Sequence, residues 1–163
     1  SNSTLYTYYG LANNNWYGPR TAIQQLPTTS QWKTTLTNTK RQITTERGTT
    51  STTGEILPTE FSYEGYAARL LTYQEVYSGC YDGITGISSV KGISTKCKYL
   101  MENTKYSNAS NVAEGEWLES PSFLNSSTVW GVYGSRVNNI DADNSRNYGV
   151  RPAIEVAKSN ISY

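Results

Sequence analysis

Tyr148-Gly149-Val150-Arg151-Pro152-Ala153-Ile154-Glu155-Val156 reads as a terminal β-strand. Its β-branched residues point to extended backbone, and Val150, Ile154 and Val156 are its expected inward faces. Upstream, Val129-Trp130-Gly131-Val132-Tyr133 is a run of β-formers closed by Gly134-Ser135. Val137 to Ile140 alternates weakly, and Asp141 to Tyr148 is turn-like. Trp117-Leu118 is followed by Ser120-Pro121, where proline is expected to stop any regular element. The last third of the chain therefore predicts a β-meander.

Further upstream the pattern becomes helical. In Phe61 to Val76 the apolar set is Ala67, Leu70 and Leu71. Thr72 followed by Glu75 is a capping box, opening a helix through Val76. Gly79 to Gly92 is broken by glycines and reads as loop, and Lys96 to Glu102 as a second short helix. Residues 27–54 are dominated by Thr, which suits exposed strand or extended loop. Thr49 to Gly54 has no apolar anchor and is expected to be mobile. The expected class is α+β: one domain over 1–163, with a lead-in over 1–26 and a closing strand over 149–157.

The 163 residues fit one domain able to bury a core. Fourteen Lys and Arg oppose thirteen Asp and Glu, a balance without the basic footprint that nucleic acid or an anionic membrane requires. His is absent, which removes the usual general base and the commonest metal ligand. Aliphatic residues are sparse, so fourteen Tyr and four Trp must supply much of the buried area. No stretch approaches the length of a membrane span, and no signal peptide is visible. A chain starting at Ser1 is compatible with a removed anchor or tag.

Cys80 and Cys97 are either a disulfide formed outside the cell or two buried thiols. Trp117 is expected in the core; Trp130 is either core or a ligand platform. Arg151 and Arg69 are expected to be structural, with Arg151 pairing a buried carboxylate such as Glu75. Asp141 and Asp143, with Asn138, Asn139 and Asn144 nearby, admit a calcium site, although an Asx-rich turn is the simpler account. Asp82 and the pair Glu114 and Glu116 lack a spacing that would hold carboxylates face to face for hydrolysis. Asn2, Asn108, Asn125 and Asn160 lie in glycosylation sequons, which matter only in a eukaryotic host.

Two motifs carry a resemblance. Ala68-Arg69-Leu70-Leu71-Thr72-Tyr73-Gln74-Glu75 resembles the helix entry of the formylglycine-generating-enzyme and sulfatase-modifying-factor branch of C-type lectin-like folds, and Tyr148 to Val156 resembles the closing strand of that branch. Trp117-Leu118-Glu119-Ser120-Pro121-Ser122 and Val129-Trp130-Gly131-Val132 are similar to a domain carried on pilin-like or secreted surface proteins of Firmicutes. The ordered series spans residues 27–163. It implies a C-type lectin-like fold with two short helices and a twisted antiparallel meander. The enzyme branch keeps reactive cysteines near its C-terminal strands and a His in its substrate site. This chain has no cysteine beyond Cys97 and no His, so the fold carries over and the activity does not. The sugar-and-calcium tripeptides of C-type lectins are also absent.

The same fold is the scaffold of variable proteins of diversity-generating retroelements, in which adenine-directed mutation diversifies a surface before an unmutated final strand. Residues 106–148 are rich in the expected products. The resemblance assigns ligand binding to Tyr106, Asn108, Asn125, Ser127, Trp130, Tyr133, Ser135, Asn138, Asn139, Asp141, Asp143, Asn144, Ser145, Asn147 and Tyr148. Tyr106, Trp130, Tyr133 and Tyr148 are the expected aromatic anchors, with Asn and Ser as adaptable hydrogen-bonding neighbours. The expected function is non-covalent capture of a protein or glycan outside the cell or on a virion. No catalysis, cofactor, metal, nucleic acid or membrane insertion is expected. The alternatives are a pilin-like or envelope structural subunit, and a degenerate relative of the enzyme branch.

Overall fold

The computed structural model describes residues 15, 17–42, 60–80, 90–92, 115–122, 127–133, 136–142 and 148–162. Helix α1 (Arg20–Ile23) is a single turn. It is entered through Gly18, whose φ of 70° suits glycine and whose Cβ would meet the Phe61 ring at 2.5 Å. It tightens into i→i+3 bonds over Gln24, Gln25 and Leu26 before Pro27. Strands β1 (Lys40–Gln42) and β2 (Glu60–Ser62) form an antiparallel pair. Beyond β2 the chain turns through Gly65, at φ 84°.

Helix α2 (Tyr73–Cys80) opens with the expected capping box. The Glu75 amide donates to Thr72 Oγ1 at 3.0 Å, and the Thr72 amide donates to the Glu75 carboxylate at 2.9 Å. The helix runs four residues past Val76, through Gly79, into a stretch expected to be loop. Cys80 is disulfide-bonded, and Cys97 is the other cysteine of the chain.

Strands β3 (Val90–Gly92), β4 (Gly115–Pro121), β5 (Thr128–Tyr133), β6 (Arg136–Asp141) and β7 (Tyr148–Gly149) form one sheet in the order β3-β6-β5-β4-β7. Every pairing is antiparallel except β4 with β7. β3 also lies where loop was expected. Pro121 does not stop β4 early: it is the strand's last residue, and the β4–β5 register shifts between Trp117 and Pro121.

Alternation along the strands builds two cores. On one face Trp117, Val129 and Ile140 pack with Ala22, Ile23 and Leu26 of the α1 region and with Phe61, Tyr63 and Leu70. On the other, Leu118, Trp130, Val132 and Val137 pack against Val76 and Cys80 of α2. Helices and sheet therefore make an α+β architecture with the five-stranded sheet between two layers. The helix expected at Lys96–Glu102 and the segment Thr49–Gly54 lie outside the described residues.

The closing segment departs from the expected strand. Regular pairing ends at Gly149. Beyond Pro152, Ala153 makes an isolated bridge, exchanging bonds of 3.0 and 2.8 Å with Arg69. Val150 is half-buried against the first core, but Ile154 and Val156 are 46% and 50% exposed. Proline has no N–H for a ladder, and past it the inward positions fall to Ala153 and Glu155, so the neighbouring apolar residues face outward.

Candidate functional site

β5 and β6 carry the described part of the expected recognition surface. Their register sets Thr128 opposite Asp141, Trp130 opposite Asn139 and Gly131 opposite Asn138. Adjacent residues on a strand point to opposite faces, so Asn138 and Asn139 do not share one. Both are half-buried. The Asn139 amide donates to Asn138 Oδ1 at 2.8 Å, and Asn139 Nδ2 donates to Ser122 Oγ at 3.1 Å. Asp141 is exposed, and Ser127, half-buried, accepts the Ala142 amide at its carbonyl at 2.9 Å. Ser122, Ser127, Asn139 and Asp141 thus collect at one end of the sheet.

That end is tied down by a residue that carries no distinguishing signal in the sequence. Asn15, fully buried, donates its side-chain amide to the carbonyls of Ser122 (3.0 Å) and Thr128 (2.6 Å). The two carbonyls lie just after β4 and at the start of β5, and one side chain joins them. In the sequence Asn15 was one of three consecutive asparagines in a loop, with nothing to distinguish it.

Trp130 and Tyr148 require correction as surface anchors. Trp130 is 2% exposed and stacks on Tyr73 of α2, ring centroids 4.3 Å apart. Tyr148 is 5% exposed and packs on Trp117 at 4.8 Å. Both faces of the sheet are covered, so the ring of Trp130 on central β5 and that of Tyr148 on edge strand β7 are each drawn into a core. Tyr133 ends β5 opposite Arg136. Tyr106, Asn108, Asn125, Ser135, Asp143, Asn144, Ser145 and Asn147 lie outside the described residues.

Ion pairs clamp the closing segment. In the parallel ladder Gly149 lies opposite Glu116, and Arg151, two residues on, reaches the same face of β4. Its Nε bonds the carboxylate of Glu116, which is 2% exposed. The partner of Arg151 is therefore Glu116 and not Glu75. Burial pushes the Glu116 carboxyl up to about 7, against the pull of Arg151. Glu75 instead pairs with Arg69 (2.5 and 2.8 Å), whose Nε reaches Glu155 at 2.9 Å. Glu155 also accepts the Thr37 amide at 2.7 Å.

Partial burial raises the carboxyls of Glu75 and Glu155. The bonds from Arg69 and Thr72 to Glu75, and from Thr37 and Arg69 to Glu155, outweigh it and hold both below the ordinary range. Buried Glu119 takes the Tyr63 hydroxyl at 2.9 Å and lies 3.1 Å from Arg41. Tyr63, Arg41 and Glu119 had no recognisable signal in the sequence, since their partners are 56 to 78 residues away along the chain.

Of the calcium candidates, Asp141, Asn138 and Asn139 are described, and the two asparagines diverge to opposite faces. Among the described residues no group of three or more His, Cys, Asp or Glu could hold a metal ion, and no helix is long and apolar enough to cross a membrane. No family model, curated protein or solved structure matches the chain.

Proposed function

We propose that the protein is a C-type lectin-like, surface-displayed ligand-binding domain of the receptor or adhesin type, and a variable protein of a diversity-generating retroelement. The supporting observation is the clamping of the closing segment. Arg151 on Glu116, Ala153 on Arg69, and Glu155 on Arg69 and Thr37 hold it against the frame at three successive alternate residues. A frame held in this way tolerates substitution in the chain leading into it, as a diversified surface requires. Ser127, Asn139 and Asp141 contribute polar contacts, and the Tyr-, Asn- and Ser-rich residues between 106 and 148 supply the rest. The disulfide at Cys80 suits display outside the cell or on a virion. The ligand is a protein or glycan on a target surface.

Deep sequencing of the gene in its source population tests this reading. Substitutions confined to adenines in codons 106–148, with 149–157 constant and a template repeat beside a reverse transcriptase, are expected. A uniform sequence without the repeat would remove diversification and leave a plain adhesin-like domain. A second reading, a pilin-like or envelope structural subunit, is favoured by the exposure of Trp32, Ile154, Val156 and Ile161. Polymerisation on a sizing column without added partner would establish it. The enzyme alternative, a degenerate relative of the formylglycine-generating enzymes, predicts oxidation of a cysteine-containing peptide, with turnover lost on changing Cys80.

A further inference from the structure

On the layer of α1, β1 and β2 a groove of about 470 Å³ opens to solvent. That volume falls within the range of small-ligand sites. One wall is the face of α1 formed by Arg20, Ile23 and Gln24, at i, i+3 and i+4. The other is the face of the β1–β2 pair that carries Lys40 and, opposite it, Ser62, with Glu60 two residues before. Phe61, Tyr66 and Glu64 complete the lining.

Among the described residues, the charges here are not paired with one another or with the core. Lys40, Glu60 and Glu64 form no side-chain ion pair among those residues, and the guanidinium of Arg20 lies over the Tyr17 ring, at 5.3 Å. By contrast Arg41 is paired with Glu119, and Arg69 with Glu75 and Glu155. Two cations and two carboxylates therefore surround an apolar lining of Ile23, Phe61 and Tyr66.

We propose that this groove binds a short neutral oligosaccharide. The formal charges cancel, so the groove carries no excess of either sign to favour a phosphate or a cation. Carboxylates only accept and ammonium and guanidinium groups only donate, so a ligand that satisfies all four must do both at closely spaced positions. A hydroxyl does both, and a sugar ring presents several around a C–H face that suits an aromatic and aliphatic lining. An added peptide strand would use a backbone edge, whereas these walls are side-chain faces of α1 and of the β1–β2 pair. The inference does not depend on diversification of residues 106–148.

The test is ligand-observed NMR and calorimetry on the full chain with cellobiose, maltotriose and N,N′-diacetylchitobiose. Inorganic phosphate and diglycine serve as competing probes. At least one saccharide is expected to bind and to lose affinity tenfold or more in Glu60→Gln with Glu64→Gln, both exposed positions that leave the cores intact. The Lys158→Ala variant, at an exposed position outside the groove lining, is expected to bind it unchanged. Tyr66→Ala is the second variant, read after its melting curve shows a folded protein. Binding by none of the three saccharides, binding indifferent to the double variant, or preferential binding of phosphate or diglycine would each overturn the proposal.

Discussion

Glu116 makes stability fall with rising pH in a window where this chain has little else to titrate. The carboxylate is 2% exposed and its proton is held to about pH 7, against an ordinary value of 4.5. The gap of about 2.5 units is worth ~3 kcal/mol at ~1.4 kcal/mol per unit. The native state holds the proton more tightly than the unfolded chain. The stabilisation is therefore complete below about pH 4.5, declines as the unfolded carboxyl ionises, and is gone above about pH 7. Between pH 5.5 and 8 the loss is about 2 kcal/mol by the same linkage. The chain has no His, and Cys80 is in a disulfide, so few other groups change charge there. Urea unfolding at pH 5.5, 6.5, 7.5 and 8 reads it directly, with wild type beside Glu116→Gln. The amide keeps an acceptor for Arg151 and cannot ionise, so the variant should show a flat profile. An equally steep loss in the variant would refute the reasoning. A gain in wild-type stability over the same interval would show that the attraction of Arg151 outweighs burial.

Gly131→Ala places a methyl against Ile140 and 2.9 Å from the Glu116 carbonyl, and should cost about 1–3 kcal/mol in thermal unfolding. Gly115→Ala meets the Val132 carbonyl and the Tyr148 ring and should cost more, because backbone cannot give way; a wild-type melting temperature would contradict the β4–β5–β7 packing. Trp130→Ala should lose about 3–5 kcal/mol, whereas exposed Asp141→Ala should stay within about 0.5, a contrast that denaturant midpoints resolve. Reducing the disulfide at Cys80 should destabilise the chain by roughly 3 kcal/mol, seen as a lower melting temperature with reductant. Glu75 and Glu155 act opposite to Glu116: their contribution is present above the ordinary carboxylate range and fades as pH falls below it. Both are partly exposed, so Arg69→Met should flatten the acid limb of an unfolding titration by no more than about 1 kcal/mol.

The elements legible in the sequence are those written by short-range chemistry. The Thr72–Glu75 capping box sits within one helical turn and is formed as read. The β-forming runs at 129–133 and 137–140 became β5 and β6, because alternation and β-branching act over a few residues. The order of helical and β-forming stretches indicated the α+β class, composition indicated a core leaning on aromatic rings, and Trp117, Trp130 and Tyr63 fill that role. The sequence did not reveal which charges would meet. Arg151 and Glu116 are 35 residues apart, and Arg69 and Glu155 are 86 apart, so nothing local pairs them. Nor did it reveal that both faces of the sheet would be covered, which turned Trp130 and Tyr148 from surface anchors into core. Periodicity is set by neighbouring backbone, but the phase of the closing segment is set by what packs on it. Bonds from Arg69 and Thr37 draw Ala153 and Glu155 inward and leave Ile154 and Val156 to solvent.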